Sequence, residues 1–82
     1  MDAVTEISSI VVDELEFFPG DYFQGRDRER KNFTLKYERI TNGMAIIKQM
    51  GRNTTHFFRI PLADAGDQLG MMFRKIERVY KF

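Results

Sequence analysis

The sequence predicts an α+β domain in the order β-β-β-β-α: a four-stranded antiparallel curved sheet followed by one C-terminal helix. Three observations lead there. Residues 32–41, NFTLKYERIT, alternate apolar and polar side chains as a strand with one buried face does. Asn42-Gly43 follows, the pair that best tolerates positive φ at both centres of a type I′ hairpin turn. Beyond Pro61 the apolar spacing changes from the strand period to the helical one.

Taken in order, the first segment, TEISSIVVDELEFF (5–18), has two readings. Its β-branched Ile-Val-Val cluster favours a strand, yet Ile7, Ile10, Val11, Leu15 and Phe18 also fit one helical face. The strand is preferred, because Pro19-Gly20 and Gly25 suit a loop that returns the chain to a sheet. That loop holds GRDRERK (25–31), four bases against two acids. MAIIKQM (44–50) forms the second arm of the Asn42-Gly43 hairpin, Gly51-Arg52-Asn53 turns the chain, and THFFRIPL (55–62) adds a last strand. Direct counting through these turns sets Arg39 opposite Ile46, Tyr37 opposite Lys48, and Ile46 opposite Phe58. One face then carries Phe33, Leu35, Tyr37, Met44, Ile46, Met50, Phe58 and Ile60, a core. The other carries Thr34, Lys36, Glu38, Ile47, Gln49, Thr55, Phe57 and Arg59, a mixed basic and aromatic surface. In the helix, Ala65, Leu69, Met72, Phe73, Ile76 and Tyr80 form one stripe that covers the apolar sheet face. Asp64 and Asp67 near its start, and Arg74, Lys75, Arg78 and Lys81 near its end, suit the helix dipole. Gly66 and Gly70 weaken its first turns.

Residues 1–82 read as a single domain without repeats or linkers. A chain of this length buries only about 60–65% of its unfolded surface, so extra core is needed for comfortable stability. With no cysteine and one histidine, neither disulfides nor a zinc site supplies it, and a homodimer becomes the expected route. The first residues are acidic and carry neither a basic n-region nor a long apolar run. An intracellular protein, cytoplasmic or nuclear, with no membrane span is therefore expected.

The net charge of +1 conceals a division. Residues 1–21 hold six acids and no lysine or arginine, −6, whereas residues 22–82 hold thirteen bases and six acids, +7. The two parts either pair across the fold or leave a basic surface exposed. Catalytic chemistry finds no support: there is no G-x-S-x-G elbow, P-loop, cysteine nucleophile or histidine pair, so no enzyme, metal or cofactor is expected. His56 falls on the core-side register opposite Lys48 and reads as a partly buried structural residue.

Single-stranded nucleic acid is held by cations that follow phosphates and by aromatic rings on which bases stack. Phe57 and Arg59 point the same way from one strand, and Lys36, Thr34 and Gln49 lie on neighbouring strands of that face. The same face also fits a subunit contact centred on Ile47 and Phe57. Phe57 is the expected stacking residue, and Gln49 lines the site. Lys36, Arg59 and Arg52 are the expected phosphate contacts, with Arg26, Arg28 and Arg30 as an auxiliary rim. A second function class is a small protein-interaction or inhibitor module that docks on a basic partner through Asp13, Glu14 and Glu16.

The stretch from Asn32 to Phe82 resembles a PUR repeat, the unit of the Pur-alpha family, and more loosely the Whirly-type group. Phe33 and Leu35 match its first strand, Gly43 its turn, and Ile46, Ile47 and Lys48 its second strand. Ile60, Leu62, Phe73 and Ile76 match its last strand and helix. Lys36 and Glu38 stand where the family has an acid and then a lysine. The resemblance implies single-stranded DNA or RNA binding on the outer face of a curved sheet, and two copies intertwined as a dimer.

Overall fold

A computed structural model of the protein describes residues 9–51 and 53–79. The chain is α+β with antiparallel strand pairing and a helix near its C-terminal end. Seven strands in two sheets replace the expected four among the described residues. β1 (Ile10–Val12) and β2 (Leu15–Phe17) form a small hairpin of their own. β3 (Tyr22–Arg26), β4 (Asn32–Thr41), β5 (Met44–Met50), β6 (Thr55–Pro61) and β7 (Lys75–Val79) form the main sheet, in the order β6-β5-β4-β3-β7. A 3₁₀ turn (Leu62–Asp64) leads from β6 into α1 (Ala65–Met72).

The first segment is thus neither one strand nor one helix. Asp13 and Glu14 both take positive φ (52° and 65°), and the chain reverses between Val12 and Leu15 in a two-residue turn. Asn42-Gly43 makes the expected tight turn of the same kind, with φ of 52° and 76°. β3 carries no clear apolar pattern in the sequence, because Gly25 stands at one of its inward positions. The ring of Phe73 lies over Gly25, and a Cβ there would come within 2.7 Å of it. Glycine is what lets the strand and the ring meet.

The helix is shorter than its stripe suggested. It ends at Met72, because Phe73 adopts an extended conformation (φ −123°, ψ 133°). Phe73 and Ile76 are buried as the stripe required, but Ile76 reaches the core from a strand. β7 supplies backbone partners to the outer edge of β3, whose N–H and C=O groups would otherwise be unpaired. Eight helical residues that include two glycines have little propensity to resist that pairing. Tyr80 and Lys81, expected in the same helix, lie outside the described residues, as do residues 5–8.

Helix α1 packs against β1 so closely that a Cβ at Gly66 would stand 2.1 Å from the Val11 carbonyl oxygen. The glycine that weakens the isolated helix is therefore required by its packing. The core lies between the inward face of the main sheet and the second layer made of the β1–β2 hairpin and α1. It joins Phe23, Leu35, Tyr37 and Ile47 of the sheet to Ile10, Val12, Phe17 and Leu69 above it. Arg78 points into the same layer and ties it to the sheet. Its guanidinium lies 4.7 Å from the Phe17 ring centroid, donates to the Glu16 carbonyl, and pairs with Asp21 at 3.3 Å. The Asp21 carboxylate also accepts the Phe18 N–H at 2.7 Å.

Candidate nucleic-acid interface

Two one-residue register shifts decide which side chains share the outward face. Near the turn Arg39 does oppose Ile46, but a bulge between Tyr37 and Arg39 then pairs Tyr37 with Ile47 and Leu35 with Gln49. In the next loop Gly51 N–H donates to the Thr54 carbonyl at 2.8 Å, and Met50 opposes Thr55. That loop has four residues in place of the expected three. A one-residue slip flips a strand's faces, so the first shift turns β5 over and the second restores β6.

Of the three strands read from the sequence, β5 is the one whose faces are exchanged throughout, while β4 changes side only beyond the bulge, where Arg39 turns outward. Lys36, Phe57 and Arg59 lie on the outward face as expected. Gln49 does not: it is paired with Leu35 and His56 on the inward side. Ile47 is fully buried there, which removes it as the centre of an outer contact. Met44, Ile46, Lys48 and Met50 occupy the outward places in β5, so Met44, Ile46 and Met50 leave the expected core face. His56 opposes Gln49, not Lys48, and is exposed. Arg52 lies outside the described residues.

Four strands contribute one row across this face: Phe57, Lys48, Lys36 and Tyr22 are successive cross-strand partners. The two rings at the ends stand three interstrand spacings apart, roughly 14–15 Å. Phe57 is 58% exposed. Lys36 Nζ lies 5.3 Å from the centroid of the Tyr22 ring and 3.5 Å from Glu38 Oε2. The next row is Arg39, Ile46 and Arg59. Ile46 is 5% exposed although it stands apart from the core cluster. Arg39 and Arg59 flank it in register, and long basic side chains shield apolar surface with their stems while keeping the charge in water. Arg39, Met44, Ile46, Phe57 and Arg59 line a shallow concavity of about 450 Å³.

At the far end of the face, Arg26 lies between Asn32 and Lys75. Six cations (Arg26, Lys36, Arg39, Lys48, Arg59 and Lys75) thus share the outward side, with Glu38 and Glu77 as its acids. Lys48, Arg39 and Tyr22 were not among the expected binding residues. The bulge sets like residues in register, Lys36 opposite Lys48 above all, a pairing the sequence alone does not mark.

Arg28 and Arg30 belong to the turn between β3 and β4, at the rim. Asp27 shapes that turn: its Oδ1 accepts the N–H groups of Glu29 and Lys31, each at 2.9 Å. The acidic residues Asp13, Glu14 and Glu16 lie on the β1–β2 hairpin, in the layer on the other side of the sheet. Among the described residues no helix is long and apolar enough to cross a membrane. No family model, curated protein or solved structure matches the chain.

Proposed function

We propose that the protein binds single-stranded DNA or RNA on the outward face of its main sheet, as the resemblance to PUR repeats also implies. The observation that carries the reading is the row of Phe57, Lys48, Lys36 and Tyr22, with Phe57 58% exposed at one end. The rings offer stacking surfaces, each worth about 1–3 kcal/mol per base. Lys36, Lys48, Arg39 and Arg59 follow the phosphates, and Arg26 and Lys75 extend the path along the sheet. Stacking and charge without a deep specific pocket select for single strands over a fixed sequence.

Titration of a labelled single-stranded oligonucleotide at two salt concentrations tests this. Affinity falls as salt rises, with a log–log slope of about −0.7 for each phosphate neutralised. Absence of binding at low salt would sink the reading.

The homodimer belongs to the same proposal through a separate feature. β6 is an edge strand of seven residues, and an open edge is a template for pairing with another chain. Light scattering at micromolar concentration decides it: a monomer mass removes the dimer and leaves the sheet-face reading standing.

A further inference from the structure

The turn between β3 and β4 and the link between α1 and β7 meet at the end of the sheet remote from Asn42-Gly43. Arg26, Arg30, Arg74, Lys75 and Asp27 line an open concavity there of about 460 Å³. The Arg74 N–H donates to the Arg26 carbonyl at 2.7 Å, which fixes the two segments side by side. Four cations face one carboxylate, and the Asp27 Oδ1 is already held by two backbone N–H groups of its own turn.

The cations are unevenly engaged. Lys75 Nζ lies 3.6 Å from Glu77 Oε1, and Arg26 Nε donates to Asn32 Oδ1 at 3.0 Å, which leaves its two terminal nitrogens available. Arg30 and Arg74 have no ion pair or side-chain hydrogen bond with any described residue. Within the five-residue connection from Arg26 to Asn32, the Asp27 N–H donates to the Lys31 carbonyl at 3.0 Å and the Arg30 N–H to the Asp27 carbonyl at 3.1 Å, and Arg30 closes this tight loop with φ of 68°, a left-handed conformation most easily taken by glycine. A strained arginine stands where a relaxed glycine would fold the turn as well.

We propose that this concavity is a binding site for a phosphate monoester dianion. Arg30 and Arg74 provide the main contacts, their planar forks matched to phosphate oxygens, while Arg26 and Lys75 add charge. Two sources offer this chemistry: the terminal phosphate of a nucleic-acid strand, or a free phosphomonoester. The first source rests on the proposed function, because Arg26 and Lys75 form the last row of the sheet face.

Inorganic phosphate titrated into the full chain, followed by amide NMR shifts, tests the site without any oligonucleotide. Saturable shifts at Arg26, Arg30, Arg74 and Lys75 are expected. Arg30→Gly weakens phosphate binding about tenfold, the weight of one charge-assisted hydrogen bond. It also melts at the same or a higher temperature, since turn strain is relieved; a merely structural arginine would not separate these two effects. Arg74→Gln, which leaves the turn intact, is expected to weaken phosphate similarly. No saturable shift in the wild type, or unchanged binding in both variants, overturns the proposal.

Thymidylate oligomers with a 5′-phosphate, a 3′-phosphate or neither then separate the sources. Tighter binding of one phosphorylated form, lost in Arg30→Gly, supports the strand terminus. Saturable inorganic phosphate with no preference among the oligomers supports the free phosphomonoester. If phosphate binds and no oligomer does, the sheet-face reading falls and this site stands. If all oligomers bind alike and phosphate does not, the reverse holds.

Discussion

Phe23 and Phe57 are both strand residues of one sheet, yet they belong to different surfaces. Phe23 is fully buried on the inward face, its ring tilted by 32° against that of Phe17 with 4.6 Å between the centroids. Phe57 is 58% exposed on the outward face, in line with two lysines. The inward face is covered by the β1–β2 hairpin and α1, so its apolar residues contribute to folding. No described element covers the outward face, and Phe57 stands there in contact with water. What separates the two faces is which of them the fold itself satisfies.

The same substitution on the two faces gives the largest predicted contrast. Phe23→Ala should lower unfolding free energy by about 3–5 kcal/mol through lost burial and a residual cavity. Phe57→Ala should change it by no more than about 0.5 kcal/mol, as a surface substitution does. Its effect belongs to binding, with about 1–3 kcal/mol of oligonucleotide affinity lost. Urea denaturation and oligonucleotide titration on both variants check the contrast. Equal stability losses would mean that Phe57 is covered in solution, as the dimer could do.

Gly66→Ala probes the covering layer. Its Cβ would fall 2.1 Å from the Val11 carbonyl oxygen, so α1 must move away from β1. A loss of about 1–3 kcal/mol is expected from this overpacking, although alanine is the better helix former. Thermal melting gives the sign, and a stabilised variant would show that the helix does not press on the hairpin.

Much of this contrast was legible from residue order, for reasons that particular residues make clear. The β4 alternation and Asn42-Gly43 identified the central hairpin, since both depend on local chemistry. The bulge at Glu38 carries no sequence mark, and neither does the fourth residue of the β5–β6 loop. Their shifts cancel on β6, so Phe57 and Arg59 lie on the face that counting without either shift assigns them. They do not cancel on β5, where Lys48, not Gln49, faces outward. β7 was hidden for another reason: Phe73 and Ile76 satisfy a helical stripe and a core-facing extended chain alike. Only the free edge of β3, a tertiary fact, decides between them.

Tyr37 sharpens the inward side by pH. Burial raises its hydroxyl pKa above the ordinary 10.0, because the phenolate would be desolvated. A folded-state pKa above the unfolded one means that the stabilisation is complete below pH of about 10 and is lost as pH rises through the folded value. Circular dichroism from neutral to alkaline pH should show a loss of stability in that window. Tyr37→Phe should lose less across the same range. Parallel curves would place the hydroxyl in water and weaken the account of the inward face.

The smallest effect concerns Lys48, and it separates the observed register from the expected one. On the outward face Lys48 neighbours Lys36 and Phe57, so its charge meets any phosphate that passes between the rings. Lys48→Gln should reduce the log–log salt slope by about 0.7, the share of one single-strand phosphate, and leave the melting temperature nearly unchanged. Gln49→Ala, one position along and on the opposite face, should leave the slope as it is. The triple change of Asp13 and Glu16 to Asn and Gln with Glu14→Gln should also leave it unaltered, because those acids sit beyond the covered face. If Gln49→Ala alters binding and Lys48→Gln does not, the bulge at Glu38 is absent in solution and β5 presents its other side.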